Sequence, residues 1–319
     1  MTPTPHAPPP AAAPAALKVA AALLSLYLIW GSTYLGIRFA LEGGYPALSV
    51  VSGARILCAG LAMYAVLRWR GVAAPTPAQW RTLAMMGLLL MLLGNGAVVY
   101  AEKTVSSGLA AIAIASMPLW MGLFGLLFGL RPSRREWLGI GVGFVGVVWL
   151  NAGSSLSAQP IGLMLLLIAP IAWAFGSVWS RGRDLPAPFM TAAGQMICGG
   201  MMLVPLGLLM GEGMPTAPTV LGTGALLYLA VFGSILAFTA YVWLLKHVRP
   251  ALAGSYAYVN PPVAVLLGVW LADERVGVHD IGAMAVILAG VVIISLAKAR
   301  GPTSQTPPAS SQDAPERTP

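Results

Sequence analysis

The stretch Ser107–Leu150 reads SGLAAIAIASMPLWMGLFGLLFGLRPSRREWLGIGVGFVGVVWL, and a related stretch follows about half a chain later. Moved forward by 144 residues without a gap, it aligns with Ala251–Ile294, which reads ALAGSYAYVNPPVAVLLGVWLADERVGVHDIGAMAVILAGVVII. The identical pairs include Pro118 with Pro262, Arg131 with Arg275, and Gly146-Val147-Val148 with Gly290-Val291-Val292. An internal repeat constrains the architecture before any single motif does. The sequence therefore predicts two halves that are built alike.

Composition places both halves in a lipid bilayer. Hydrophobic residues make up 58% of the chain and charged residues 9%, and the mean hydropathy is +0.80. Soluble domains carry about 25% charged residues, so this composition excludes a soluble surface. The net charge of +8 does not indicate nucleic-acid binding, because the basic residues lie in short loops between apolar segments. Cys58 and Cys198 lie inside apolar segments and imply neither a disulfide framework nor a metal site.

Ten apolar segments are long enough to cross a hydrocarbon core of roughly 30 Å, which takes about 20 residues each. They lie near residues 17–38, 46–68, 81–101, 107–129, 136–152, 160–180, 188–210, 219–245, 250–271 and 280–298. We therefore expect an all-α integral membrane protein with ten transmembrane helices, five in a first repeat at 17–152 and five in a second at 158–298. The Pro/Ala-rich stretch 1–16 and the Pro/Ser/Thr-rich stretch 299–319 are predicted to be disordered tails.

The distribution of Lys and Arg predicts how the chain is oriented. With the N-terminus inside, fourteen of these residues lie on the cytoplasmic side, and only Arg38, Lys103 and Arg275 lie outside. The positive-inside rule then places both termini in the cytoplasm. Because five segments per half is an odd number, the second half enters from the opposite side, and the repeat is inverted. Inverted repeats are typical of secondary transporters, whose substrate site lies near the midplane between the repeats.

Three features resemble a known family. They are the run Trp30-Gly31-Ser32-Thr33-Tyr34, the prolines in the middle of the fourth and ninth segments, and the run Tyr256-Ala257-Tyr258-Val259-Asn260-Pro261. Over roughly residues 17–298 the chain resembles the EamA branch of the drug/metabolite transporter superfamily, and within it the YedA-type inner-membrane exporters. The resemblance implies alternating access, a location in the bacterial inner membrane, and a central cavity lined mainly by the first four helices of each half. It does not indicate the solute, because the superfamily carries amino acids, other metabolites and drugs.

Polar and aromatic side chains deep in the segments are the candidate substrate-binding residues. A polar side chain in hydrocarbon needs a partner or a wet cavity. Asn95 therefore either forms a hydrogen bond between helices or lines a cavity, and each aromatic side chain either packs in the core or lines the cavity. Asn260 lies four residues after Tyr256, hence on the same helical face. The predicted substrate-binding set is Trp30, Tyr34, Arg55, Asn95, Trp173, Gln195, Tyr256 and Asn260.

In the sequence, Arg55 is the only charged residue that lies well inside an apolar segment. An arginine there costs at least ~2.5 kcal/mol, so it should face the interior of the bundle and be paired. Two interpretations stay open. Arg55 forms an ion pair with Glu42 or Glu102, or it binds a carboxylate of the substrate, with Gln195 as its uncharged counterpart in the other half.

Two further patterns concern helix geometry. Pro118, Pro261 and Pro262 are predicted to kink the fourth and ninth helices and to act in gating, because a proline within a helix frees a backbone carbonyl; a purely structural kink is the alternative. Small residues spaced four apart predict close packing of the fourth and fifth helices on the ninth and tenth. These pairs are Gly125 with Gly129, Gly139 with Gly143, and Ala285 with Ala289. The same faces leave a homodimer open.

The functional expectation is a transporter of small organic solutes. All ten acidic residues and all three histidines fall in loops, tails or segment ends, which disfavours a deep proton relay; coupling through Glu102 or uncoupled diffusion stay open. No protease, hydrolase or P-loop motif occurs, so we expect neither an enzyme nor a cofactor or metal.

We predict an exporter of amino acids, related metabolites or drugs that works by alternating access. The alternatives are an importer, a carrier of a larger polar solute such as a sugar conjugate, or a polytopic receptor. The expected partners are a small-molecule substrate and the lipid bilayer, and not nucleic acid.

Overall fold

The structure is a computed structural model, and it describes residues 16–105, 110, 113–150, 152, 159–213, 217–272 and 277–297. The predicted C-terminal tail, and the predicted N-terminal tail up to residue 15, lie outside the described residues. Arg275, which belongs to the orientation argument, lies outside them as well.

The described residues form helices joined by turns, which confirms the all-helical expectation. In chain order the principal helices are α1 (Ala16–Glu42), α2 (Ala47–Trp69), α3 (Pro77–Ala101), α4 (Ala113–Leu127), α5 (Arg134–Leu150), α6 (Pro160–Ser180), α7 (Pro188–Leu209), α8 (Val220–His247), α9 (Tyr256–Ala272) and α10 (Val278–Leu296). Seven of them, α1, α2, α3, α6, α7, α8 and α10, are long and apolar enough to span a membrane. The full count of ten crossings and the inverted arrangement stay predictions.

Three of the helices contain π-helical stretches, which the hydropathy pattern does not reveal. They are Ala47–Ala54 at the start of α2, Gly87–Gly96 in the middle of α3, and Leu229–Leu236 in the middle of α8. A π turn replaces the i→i+4 hydrogen bonds of the α-helix with i→i+5 bonds, and such turns are frequent at functional sites. Each of these stretches lies beside the candidate site described below.

The two ends of the bundle are each fastened by a polar contact between the halves. At the end that carries Glu102, here the Glu102 end, the Glu212 carboxylate accepts hydrogen bonds from Ser49 N at 2.7 Å, Ser49 Oγ at 2.9 Å and Leu48 N at 3.0 Å. This fixes the turn after α7 to the first turn of α2.

At the other end, here the Arg249 end, Arg249 Nη1 lies 2.7 Å from Glu136 Oε1, and Arg249 Nη2 donates to Ile294 O at 2.9 Å. Glu136, at the start of α5, is buried. The turn before α9 is thereby joined to α5 and to the last turn of α10.

Glycines bring α5 and α10 into backbone contact. A Cβ added to Gly139 would lie 2.8 Å from Gly290 O, and one added to Gly290 would lie 2.5 Å from Gly143 N. The predicted packing of the fifth helix on the tenth is confirmed, but its α10 residue is Gly290. Ala285 and Ala289 are exposed instead, because they lie on the opposite side of α10.

The Gly125–Gly129 pair does not join helices. Gly129 follows the end of α4 and has a φ of +75°. This left-handed backbone conformation favours glycine. A Cβ added to Gly125 would meet Leu130, in the turn that immediately follows the same helix. The expectation of helix packing at this pair was therefore wrong, because these glycines shape the end of α4.

The three prolines predicted to kink helices sit in different surroundings. Helix α4 is interrupted at Ser116, and Pro118 lies in the first turn after the interruption. The backbone N–H groups of a first turn have no partner within the helix, so a proline costs no hydrogen bond there. Pro261 and Pro262 lie inside α9, and the helix continues past both. A role of these residues in gating stays a prediction.

The contact of α5 with α10 makes Gly139 intolerant of a side chain. We expect Gly139→Ala to lower the free energy of unfolding by about 1–3 kcal/mol, because the new methyl group would overlap the α10 backbone. Thermal unfolding of the purified protein in detergent measures this change. Gly141→Ala is the matched control on the same helix, since a Cβ there has no atom within 4 Å. Equal unfolding temperatures for the two variants would contradict the packing.

Glu212 should stabilise the fold more than a surface acid does. We expect Glu212→Ala to cost about 1–3 kcal/mol, because two backbone N–H groups and a hydroxyl at the start of α2 lose their acceptor. Glu42→Ala is the control: the Glu42 carboxylate meets Arg38 at 2.8 Å with both side chains more than half exposed, so the loss should be small. The same unfolding measurement compares them, and a smaller loss for Glu212→Ala than for Glu42→Ala would contradict this role.

Candidate functional site

A cavity of about 90 Å³ lies between α1, α2, α3, α4, α6, α8 and α9. A single water needs roughly 10–15 Å³ of such space, so the cavity can hold several waters or part of a small solute. The family resemblance implies a lining by the first four helices of each half, and of these only α7 contributes no residue from the described part of the chain. The cavity therefore receives side chains from both halves.

The structure brings seven of the eight predicted binding residues to this cavity. They are Trp30, Tyr34, Arg55, Asn95, Trp173, Tyr256 and Asn260. Gln195 lies instead within α7, fully buried, and its Nε2 and Oε1 have no hydrogen-bond partner among the described residues. The binding role of all eight residues stays a prediction, and Gln195 is not at the cavity in this conformation.

Arg55 is held by neutral groups from three helices. Its Nε donates to Val51 O at 2.6 Å, and its Nη1 lies 3.2 Å from both Leu229 O and Ser234 Oγ. Its Nη2 donates to Asn95 Oδ1 at 3.3 Å. Val51, Asn95, Leu229 and Ser234 all belong to the π-helical stretches. Because the side chain is only 6% exposed, these groups take the place of water around the guanidinium.

The expected ion pair between Arg55 and Glu42 or Glu102 is not formed. Glu42 binds Arg38 at the protein surface. Glu102 makes no ion pair with Arg55, and its Oε1 is buried without a hydrogen-bond partner among the described residues. The physical reason is that two backbone carbonyls, Val51 O and Leu229 O, and two neutral side chains already accept hydrogen bonds from the guanidinium. For Asn95 both alternatives are observed: it accepts a hydrogen bond from Arg55 of α2, and it lines the cavity.

An aromatic cluster forms the wall of the cavity that faces the Arg249 end. The Trp30 ring centroid lies 5.6 Å from that of Trp173, 5.1 Å from Phe238, 5.3 Å from Tyr241 and 4.6 Å from Tyr256. Offset and edge-to-face pairs at these distances are favourable. The cluster separates the cavity from the Arg249 end of the bundle.

Hydrogen bonds fix the rings of this wall. Trp30 Nε1 donates to Gly233 O at 3.1 Å, and Trp173 Nε1 donates to Tyr241 Oη at 2.9 Å. Nearer the Arg249 end, Tyr27 Oη and Ser255 Oγ lie 2.6 Å apart and join the two halves. In the opposite direction the cavity reaches Ile37, within two turns of the Glu102 end of α1.

Asn260 presents an unused acceptor to the cavity. Its side chain is 3% exposed and approaches the Tyr34 hydroxyl closely enough for a side-chain hydrogen bond, but its Oδ1 has no hydrogen-bond partner within the described ranges. A buried acceptor without a donor is rare in folded proteins and calls for an explanation. Glu102 lies close enough to Tyr34 to interact with it electrostatically, and Tyr34 lines the cavity whereas Glu102 does not.

Sequence reasoning missed several residues of the site. Phe238 lines the cavity and stacks on Trp173 with ring centroids 5.8 Å apart. Ser234 binds Arg55, and Met117 accepts a hydrogen bond from Tyr256 Oη at 3.4 Å. An apolar residue in an apolar helix gives no signal of its own, but Ser234, a polar side chain in mid-segment, could have been found by the criterion that selected Asn95.

Comparison with known proteins gives a consistent result. The sequence matches the EamA-like transporter family over residues 17–152 and 160–296. It is 43% identical over 283 residues to the "Uncharacterized inner membrane transporter YedA" of Escherichia coli (strain K12), which covers 88% of this chain and 92% of the relative. It is 25% identical over 284 residues to the "Probable terminal-alkyne amino-acid exporter" of Streptantibioticus cattleyicolor, covering 87% and 93%.

A solved crystal structure has the same fold. It superimposes with a TM-score of 0.73 at 20% sequence identity, over 88% of this chain and 98% of the other. At this identity the likeness concerns the fold alone.

Proposed function

Because the chain belongs to the EamA-like transporter family and is a multi-pass inner-membrane transporter of small solutes, we propose that it exports amino acids, related metabolites or drugs by alternating access. The two repeats, 17–152 and 158–298, are the bodies that rock against each other. The observation that carries the proposal is the cavity between the halves, where aromatic rings and a few polar groups converge, as in small-molecule sites.

Contacts between the halves at the Arg249 end support alternating access. The aromatic wall, the Tyr27–Ser255 hydrogen bond and the Arg249–Glu136 ion pair lie between the cavity and the Arg249 end. Opening towards that end requires these contacts between the halves to separate. The positive-inside rule assigns the Arg249 end to the cytoplasm, so this conformation would be the one closed to the cytoplasm.

The name of one relative supports the solute class. The Streptantibioticus cattleyicolor relative is named as an exporter of an amino acid, and the cavity offers an arginine, two amides and aromatic surface. Import is the alternative direction. In cells, loss of the protein should raise the internal level of the solute if it is an exporter, whereas slower uptake of external solute would contradict export.

Asn260 gives the sharpest test of the proposal. We expect Asn260→Ala to abolish counterflow of labelled solutes in proteoliposomes while the amount of inserted protein stays unchanged, because the cavity loses its free acceptor. Ser295→Ala is the control: Ser295 is exposed on α10, and its hydroxyl bonds to Val292 O of its own helix. Unchanged counterflow in Asn260→Ala would remove Asn260 from the site, and absence of counterflow for every solute in the wild type would contradict transport.

Proton coupling through Glu102 is the second candidate mechanism. Glu102 directly follows α3, and burial raises the pKa of its carboxyl to about 8. The group is thus neutral below that pH and ionised above it. We expect wild-type counterflow to decline as the pH rises past about 8, because the ionised carboxylate would have to stay desolvated through the transport cycle.

Two variants test this pH dependence. Glu102→Gln should give counterflow that is constant across the same pH range, since the amide does not titrate. Glu42→Gln, which removes an exposed acid at the same end, should keep the wild-type profile. A Glu102→Gln profile identical to that of the wild type would exclude this group as the titrating one.

A further inference from the structure

The electrostatic character of the cavity comes from one unbalanced charge. Arg55 is the one charged side chain among the described residues that line the cavity. No carboxylate of the described residues lies within ion-pair distance of it. All four of its protein acceptors are neutral, so they satisfy hydrogen bonds without cancelling the positive charge. An anion that entered the cavity would be the first counter-charge that Arg55 meets.

The guanidinium, which lines the cavity, also retains hydrogen-bonding capacity. Arginine carries five N–H groups, two of them on Nη2. Within the described residues Nη2 makes one hydrogen bond, the 3.3 Å contact with Asn95 Oδ1. The second Nη2 hydrogen is therefore free for a ligand oxygen. A charge-assisted bond from it to a carboxylate is shorter and stronger than the bond to Asn95.

Asn260 adds a requirement for a donor on the ligand. Its Oδ1 lines the same cavity and has no partner in the part of the chain that the structure describes. An ammonium donor is disfavoured, because the ligand carboxylate is already paired with Arg55 and the described lining residues supply no acid for a second positive charge. A neutral N–H or O–H group completes this acceptor without adding charge.

The other lining residues indicate the apolar part and the charge of the ligand. Trp30, Trp173, Phe238 and Tyr256 present aromatic surface on one side of the cavity. With a single cation and a single free N–H on Nη2, the site suits one negative charge better than the two of a phosphate.

We propose that the cavity binds a monoanionic carboxylic acid with a neutral N–H donor, of which an N-acylated amino acid is the simplest example. The carboxylate lies on Arg55, the N–H donates to Asn260 Oδ1, and the apolar part packs on the aromatic wall. This names the substrate class of the transporter proposed above, and it rests on that proposed function.

Binding of three matched probes tests the charge of the ligand. N-acetyl-L-alanine, L-alanine and L-alaninamide differ chiefly in net charge, which is −1, 0 and +1 at neutral pH. With the full-length protein in nanodiscs, equilibrium binding of N-acetyl-L-alanine should be about tenfold or more tighter than that of the other two. Propionate, which lacks the N–H, should bind more weakly than N-acetyl-L-alanine. The same series built on phenylalanine covers a larger side chain, and equal or tighter binding of the zwitterions, or no binding in either series, would overturn the proposal.

Variants assign the two contacts. Arg55→Gln should weaken N-acetyl-L-alanine binding about tenfold or more, whereas Arg38→Gln, which removes an exposed cation at the Glu102 end, should leave it unchanged. Because Arg55 ties three helices together, its loss could also unfold the protein. Asn260→Asp avoids this difficulty, since it keeps the shape and adds a negative charge. It should weaken N-acetyl-L-alanine binding and strengthen L-alanine binding, and the absence of this reversal would overturn the assignment.

Flux measurements separate this inference from the transport proposal. In proteoliposomes with valinomycin, a tenfold inward K⁺ gradient should accumulate N-acetyl-L-alanine about tenfold, because one negative charge moves with each solute. L-alanine should not accumulate. Tight binding of the anion without any flux would contradict transport and leave the ligand class standing. Flux of another solute class that Asn260→Ala abolishes and Arg55→Gln does not would overturn the ligand class and leave transport standing.

Discussion

The arrangement of the site depends on how the Arg55 guanidinium is solvated inside an apolar bundle. With no bulk water available, its N–H groups must find acceptors within the protein. Val51 O and Leu229 O supply two of them from π-helical stretches. Because the guanidinium also reaches Asn95 Oδ1, one side chain links α2, α3 and α8. The cavity lies where these three helices meet α1, α4, α6 and α9.

Solvation by neutral groups gives a different result from an ion pair. A carboxylate beside Arg55 would have cancelled its charge and left a structural contact with little attraction for a ligand. Carbonyl and amide oxygens lower the cost of burying the cation, yet its field still extends into the cavity. The Asn260 Oδ1 likewise has no hydrogen-bond partner among the described residues. The Arg55 charge and the Asn260 acceptor are therefore both available to a bound solute.

Much of this could be predicted from the sequence. The apolar segments and the repeat indicate the helical architecture, and depth within a segment was enough to select Trp30, Asn95 and Asn260. The partners of Arg55 could not be predicted, because they depend on π turns that shift backbone carbonyls by part of a turn while leaving the hydropathy unchanged. The ninth segment was predicted to run through Pro261 and Pro262, and α9 does continue past both prolines.

Gln195 shows why the repeat alone could not identify the site. It corresponds in the second half to Arg55 in the first, and two halves in identical conformations would bring both to equivalent surroundings. In this structure Arg55 lines the cavity, whereas Gln195 is fully buried with both polar atoms lacking a partner among the described residues. Alternating access in inverted-repeat transporters moves one repeat against the other around the site. In the proposed mechanism that movement would open a cavity towards the Arg249 end, where water or solute could satisfy the Gln195 amide. The desolvation cost of the buried amide would then favour leaving the present state.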